Sequence, residues 1–391
     1  MTTVVEQSRA VEPFRVEFAD ADLKDLRARL AQVRWPETGT APGWAQGVPL
    51  DYQRELCEYW ANTYDMRRVE SQLNAHPQFR TAIDGVDIHF LHVRSSHEDA
   101  TPILLTHGWP GSVVEFLKVI GPLTDPTAHG GDPADAFHVV IPSLPGYGFS
   151  GKPADTGWNI PGIARAWAEL MARLGYSRYA AAGCDWGALV STSIGQQDTE
   201  HLVGLHLTAA ICSPEAIMVA DPTPDEQQDM AGMGHYVTQE NGYNLIQSTR
   251  PQTLGYGLAD SPVLQCAWVV EKFMTWSDCD GHPETVFTRD ELLDNVMTYW
   301  MTNSGTSSAR LYWEAMADVH TVLEPVSAPT GYSVFPKDIY RVSQRVAETR
   351  FHDLRYYNRT DRGGHFAAFE RPELYIDEVR KAFRAIRSGR S

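Results

Sequence analysis

Asp185 stands between two glycines in Gly183-Cys184-Asp185-Trp186-Gly187, a spacing that thrusts one side chain out of a sharp strand-to-helix turn. Flanking side chains would clash there, and the central residue takes a strained backbone, so both glycines have a steric reason. The side chain then stands above a sheet, beside the free N–H groups of a helix N-terminus. An acidic cap on an ordinary turn would leave the same pattern, so the pattern alone does not decide. A carboxylate is ionised at neutral pH and attacks without a base. Its product with a saturated carbon is an alkyl ester, which water can hydrolyse at the enzyme's own carbonyl. That chemistry is displacement at saturated carbon, meaning the opening of an epoxide or the loss of a halide. No Gly-x-Ser-x-Gly competes elsewhere in the chain.

Hydrolysing such an ester takes a base and an acid to orient it. Among 14 histidines, His365 stands apart in Arg362-Gly363-Gly364-His365-Phe366, a glycine-rich loop after the last strand signal. A loop there would swing an imidazole over a sheet edge, although a plain turn histidine fits equally. Asp338, in Phe335-Pro336-Lys337-Asp338, follows a strand directly and precedes His365. Asp353 and Asp361 are its rivals, the first within a strand entry and the second crowded against Arg362. His89 and His92, three apart on a strand, point to opposite faces and make a poor metal pair.

These residues need a frame. A helical leader comes first: Asp20 to Val33, with Leu23, Leu26, Leu30 and Val33 on one face, then Asp51 to Tyr64, then a short helix through Leu73. Phe79 to Ile83 and Val86 to Val93 read as a hairpin about Asp84-Gly85. Ile103 to Leu105, Phe137 to Ile141, Tyr179 to Ala182 and Val203 to Leu207 are short apolar runs suited to buried parallel strands. Helical patterns separate them, Ile163 to Leu174 among them, which argues for a mostly parallel, doubly wound sheet. From Cys212 to Glu324 helical patterns take over: Thr253 to Trp276, Arg289 to Met301 and Ser307 to Val322. A helical block inside an α/β chain reads as a lid over the carboxyl edge of the sheet. The sheet resumes at Gly331 to Phe335 and Leu354 to Tyr357, and Pro372 to Ile386 closes the chain. The expected division is a helical arm over 1–78, a core in two parts over 79–212 and 326–391, and a lid over 213–325.

The totals exclude other classes. The 391 residues carry 33 Lys and Arg against 50 Asp and Glu, and a net charge of −17 speaks against nucleic acid or anionic membrane as partner. No apolar run approaches the ~20 residues of a membrane span, and no signal peptide is visible at the N-terminus. Five cysteines without ligand-like spacing suit reduced thiols, so the expected compartment is cytoplasmic. Cys184, beside Asp185, reads as a small buried filler.

The chain resembles the α/β-hydrolase-fold epoxide hydrolases of the microsomal-type branch, as a bacterial-type member without a membrane span. The resemblance runs from about Pro13 to Ile386 and rests on HGWPGS at 107–112, GCDWGA at 183–188, ENGYNLIQSTRP at 240–251, SSARLYWE at 307–314, FPKD at 335–338 and RGGHFAAFE at 362–370. It implies Asp185 as nucleophile, His365 as the base that activates water and Asp338 as the orienting acid. It places half of an oxyanion hole on the backbone N–H of Trp109 and half on that of Trp186. It also implies that Tyr243 and Tyr312 in the lid bind the epoxide oxygen. Two phenols would stabilise and protonate an opening alkoxide, but among 16 tyrosines spacing does not select them. Tyr236, Tyr256 and Tyr299 are set aside by the resemblance alone.

The activity implied is hydrolysis of an epoxide to a vicinal diol, with no metal and no organic cofactor. The expected partners are a small apolar epoxide and water, with a homodimer left open. The many lid aromatics imply a bulky substrate, although aromatics also build ordinary cores. A haloalkane dehalogenase shares the aspartate elbow and its adjacent tryptophan, but a departing halide needs no proton, which leaves the tyrosines without a task. A binding module with a degraded site is disfavoured, since every catalytic position carries a competent residue.

Overall fold

The computed structural model describes residues 9–316 and 323–389. Among them nine strands form one sheet: β1 (Glu12–Phe14), β2 (Gln78–Ile83), β3 (Val86–Val93), β4 (Thr101–Thr106), β5 (Phe137–Pro142), β6 (Tyr179–Gly183), β7 (Leu202–Leu207), β8 (Thr330–Val334) and β9 (Leu354–Arg359). Their order is β1-β2-β3-β5-β4-β6-β7-β8-β9. The first three strands and β5 pair antiparallel, and from β5 onwards every pairing is parallel. The turn between β2 and β3 is the expected two-residue hairpin, with Asp84 at φ 46° and Gly85 at φ 84°.

The middle of the sheet is built from short side chains. Ala180, Ala181 and Ala182 of β6 are fully buried, so the covering helices come close to it. The helix Ile160–Arg173 starts on Asn159, whose side chain accepts from the Gly162 N–H, and turns Ile163, Trp167 and Leu170 inward. Its Trp167 indole donates to Thr106 Oγ1 at 3.2 Å, fixing the end of β4. The closing helix Pro372–Ser388 packs on β7, β8 and β9 through residues that include Ile376, Val379 and Phe383.

Between β7 and β8 the described residues are mostly helical, as the sequence predicts, with one difference. The run Thr253 to Trp276 is two helices, Pro251–Asp260 and Pro262–Thr275, because Ser261 leaves helical geometry and caps the second through the Leu264 N–H. Apolar periodicity continues across that break, which is why it reads as one helix. The last helix is described as Gly305–Ala315, and the expected extension over 317–322 lies outside the described residues.

The leader also differs from expectation. It is not all helical, because Glu12–Phe14 pairs with β2 as an edge strand. Its first helix stops at Ala31, so Leu23, Leu26 and Leu30 are buried while Val33 lies beyond the helix and only part-buried. The leader braces the helical insertion. Arg29 donates to the Asp260 carbonyl at 2.7 Å, Gln53 Nε2 to the Val263 carbonyl at 3.2 Å, and the Tyr64 hydroxyl to Asp294 at 2.7 Å.

Candidate active site

The elbow follows β6 directly. A Cβ on Gly183 would lie 2.2 Å from the Gly187 carbonyl carbon, and one on Gly187 would lie 1.8 Å from the Thr106 carbonyl oxygen. Both positions are therefore closed to any side chain. Asp185 opens the helix Asp185–Gln197 at φ 50°, a left-handed conformation costing a non-glycine residue roughly 1–2 kcal/mol. Its carboxylate is held from the β4 side, where the Trp109 N–H donates to Oδ1 at 2.8 Å. Gly108 is equally constrained, since a Cβ there would stand 2.2 Å from the same Oδ1. The Trp186 N–H lies in the first turn of the helix, among the groups that a helix leaves without an internal partner.

The other two polar groups arrive from the ends of β8 and β9. Asp338 follows β8 and is 1% exposed. His365 follows β9, and its loop is pinned on several sides. Lys337 N–H donates to the Gly363 carbonyl at 3.0 Å, Gly364 N–H to Glu370 Oε1 at 2.9 Å, and His365 N–H to the Trp276 carbonyl at 2.8 Å. Gly363 has φ 98°, and a Cβ on Gly364 would lie 2.4 Å from the Trp276 carbonyl oxygen. This is why the loop reads Arg-Gly-Gly-His. His365 Nδ1 lies 2.8 Å from Asp338 Oδ1 and Nε2 lies 3.5 Å from Asp185 Oδ2. A carboxylate only accepts, so the Nδ1 proton points at Asp338. Burial works against the imidazolium, but the two carboxylates outweigh it and push His365 up to about 10.

Tyr243 and Tyr312 close the site from the helical insertion. Both are buried, with ring centroids 5.8 Å apart and planes at 84°. The Tyr312 hydroxyl is buried with no hydrogen-bond partner among the described residues. Of the rival tyrosines, Tyr256 is 71% exposed, and Tyr299 donates to the Gly111 carbonyl at 2.7 Å, holding the turn after β4. Tyr236 belongs to the site: its hydroxyl lies 2.8 Å from that of Tyr243, and it lines the same cavity. That cavity, about 160 Å3, brings together Asp185, Trp186, Tyr243, Tyr312, Asp338 and His365 under an apolar wall including Leu189, Ile211 and Ile339. Trp109 lies behind it, stacked on Tyr243 at 4.8 Å and 8°.

A larger cavity of about 940 Å3 lies between the 35–51 segment and the helix Pro262–Thr275, and none of these groups lines it. Convergent polar chemistry, more than size, marks the smaller one as the site. Tyr236 stood among the rival tyrosines that the resemblance set aside, and sequence reasoning gave no sign of Glu115. Glu115 is buried beside the elbow, 3.7 Å from Cys184 Sγ, and burial pushes its carboxyl up to about 8. His107, in contrast, is a framework residue. Its Nε2 accepts from the Leu144 N–H at 3.2 Å, and burial holds it down at about 4. His89 is likewise structural, bonded to Ser143 and Gln78. Among the described residues no three His, Cys, Asp or Glu converge on a metal position, and all five cysteines are free and buried.

Residues 11–116 match the family described as epoxide hydrolase N terminus, and residues 101–238 match the alpha/beta hydrolase fold. Epoxide hydrolase 1 of Sus scrofa is 36% identical over 96% of this chain and 89% of its own length. A Stigmatella aurantiaca protein, whose name assigns it provisionally to the epoxide hydrolases, is 51% identical over 97% of this chain and 86% of its own. The chain belongs to the epoxide hydrolases. Two solved structures agree with that membership. The juvenile hormone epoxide hydrolase of the silkworm Bombyx mori superposes with a TM-score of 0.91 at 31% identity, over 98% of this chain and 96% of that one. The Aspergillus niger epoxide hydrolase gives 0.86 at 31% identity, over 97% of both. This epoxide hydrolase thus has the α/β-hydrolase fold, and no helix among its described residues is long and apolar enough to cross a membrane.

Proposed function

We propose that this enzyme opens a small apolar epoxide to a vicinal diol through an alkyl ester on Asp185. The observation that carries the reading is the division of labour on one carboxylate, Oδ1 taken by the Trp109 N–H and Oδ2 turned towards His365. Oδ2 attacks a ring carbon, the ring C–O bond breaks, and the epoxide oxygen takes a proton from the phenols of Tyr243 and Tyr312. Esterification removes the Asp185 charge, so one of the two carboxylates that hold the imidazolium disappears. His365 can then give up its proton, which returns to the phenolate left by ring opening, and act as a base. Water, deprotonated at Nε2, attacks Cγ of the ester. The oxyanion forms on Oδ1 against the N–H groups of Trp109 and Trp186. Its collapse expels the diol oxygen, which takes the proton from His365.

Leu189, Ile211 and Ile339 support an apolar substrate. They do not support a bulky one without motion of the lid. The cavity lies below the roughly 300–1,000 Å3 usual for drug-sized ligands, and the lid aromatics Phe273, Trp276 and Tyr299 are taken up in core packing. Two buried phenols and membership of the epoxide hydrolases both favour an epoxide over a haloalkane. The test is a His365→Gln variant given an epoxide. It should gain the mass of one intact substrate on the peptide carrying Asp185, whereas Asp185→Ala should gain none. An unmodified His365 variant that still makes diol would remove the ester route.

A further inference from the structure

Lys272 lies in the helix Pro262–Thr275, and its side chain is 4% exposed. Its Nζ sits over two aromatic rings, 4.9 Å from the centroid of Tyr243 and 5.5 Å from that of Trp276. Glu271 Oε1 accepts from the ammonium at 2.8 Å, and Glu240 Oε2 is 4.0 Å away. A buried ammonium is expensive to desolvate, and this one is compensated by the two carboxylates beside it. The contact that bears on the chemistry is with Tyr243. We infer that Lys272 is a positioning residue for epoxide opening, its ammonium holding the Tyr243 ring and favouring donation of the phenol proton to the opening epoxide.

The physical case has two parts. Trp109 stacks on the same Tyr243 ring, so the phenol is gripped by an indole and a cation, and its hydroxyl is aimed from a fixed ring. The phenolic oxygen also gains negative charge as its proton moves to the epoxide oxygen. A cation over the ring stabilises that developing charge in a desolvated site, where such interactions are strongest. Burial and the Asp185 charge both make the Tyr243 phenol reluctant to ionise, and Lys272 supplies a charge of opposite sign close by. Glu271 keeps the ammonium in place.

This inference rests on the assignment of Tyr243 as a proton donor, and its test separates the two. Single-turnover ester formation is timed in the parent and in Lys272→Met, Lys272→Arg, Tyr243→Phe and the Lys272→Met/Tyr243→Phe double variant. Lys272→Met should form the ester about 5- to 30-fold more slowly, the scale of a desolvated cation–ring contact, at a temperature where the variant is fully folded. Lys272→Arg, which keeps the charge, should recover most of the rate. In the Tyr243→Phe background, Lys272→Met should slow the step no further. A parental rate in Lys272→Met with a slow Tyr243→Phe would overturn the role of Lys272 alone. Equal slowing by Lys272→Met in both backgrounds, or no recovery with Arg, would overturn it as well. A parental rate in Tyr243→Phe would instead remove the assignment of the tyrosine.

Discussion

The backbone N–H of Trp109 donates to Asp185 Oδ1, and that bond orders the two oxygens of one carboxylate. Oδ2 is left to face His365 and the cavity. On the proposed ester route the attacking oxygen is thereby fixed before substrate arrives, and the oxygen that would later carry the oxyanion already rests on its donor. Little reorganisation is then required between the two chemical steps.

In heavy-oxygen water a single turnover should label the Asp185 carboxylate and leave the first diol unlabelled, since on the proposed route water attacks Cγ and not the epoxide. Mass spectrometry of the Asp185 peptide and of the diol reads this directly. Label appearing in the first diol would point to direct attack of water.

Tyr243→Phe and Tyr312→Phe should each slow ester formation, by roughly 10–1000-fold on the scale of a lost oxyanion donor. Among the described residues no hydrogen bond anchors the Tyr312 hydroxyl outside the tyrosine cluster, whereas Tyr243 shares its own with Tyr236. Loss of both donors should therefore be far worse than either single loss, as stopped-flow traces of the double variant can show.

Asp338→Asn should leave the first step and cripple the second. An amide cannot hold the Nδ1 proton as the carboxylate does, and comparable tautomer errors slow turnover by up to roughly 10,000-fold. The ester should accumulate on Asp185, and a variant that turns over at the parental rate would show that another group orients His365.

Stability should fall as pH rises from 7 to 10. His365 and Glu115 are both raised in the folded protein, to about 10 and about 8. Each favours its protonated form in the fold, so its contribution is complete below its unfolded value and lost as pH rises through the folded one. The buried histidines His89, His107 and His206 are depressed, to about 3, 4 and 3, and their contribution is already complete above about 6.5. They are therefore silent in this window. Melting curves should decline less steeply in His365→Gln than in the parent between pH 8 and 10, and parallel curves would contradict the assignment.

Removing residues through Trp35 should release the helical insertion. The Arg29 bond to Asp260 and the buried Leu23, Leu26 and Leu30 would go together. Insoluble or protease-sensitive protein is the expected outcome, and a stable, active truncation would show the insertion standing unaided.

Much of this arrangement is legible in the sequence because sterics wrote it there. The elbow needs glycine at 183 and 187 whatever the reaction, and the loop before His365 needs glycine at 363 and 364. Strand ends then deliver Asp338 and His365 to the same edge. Other features leave no such mark. Three residues of β1 are too few to show alternation, and the break at Ser261 hides within continuous apolar spacing. Tyr236 and Lys272 reach the site only because separate helices of the insertion pack together. Their positions are tertiary facts, and nothing local sets them apart from the other tyrosines and lysines. Tyr243 and Tyr312 were reachable only through resemblance for the same reason.

The close contacts at Gly108, Gly183 and Gly187 leave the floor of the cavity with no spare volume. A single methyl at any of them collides with the Asp185 carboxylate or with its supporting backbone, so this half of the site is inherited whole or not at all. Leu189, Ile211, Asn244 and Ile339, which line the rest of the cavity, carry no such glycine constraint. Divergence in substrate taste, by natural drift or by directed selection, has these side chains to rewrite.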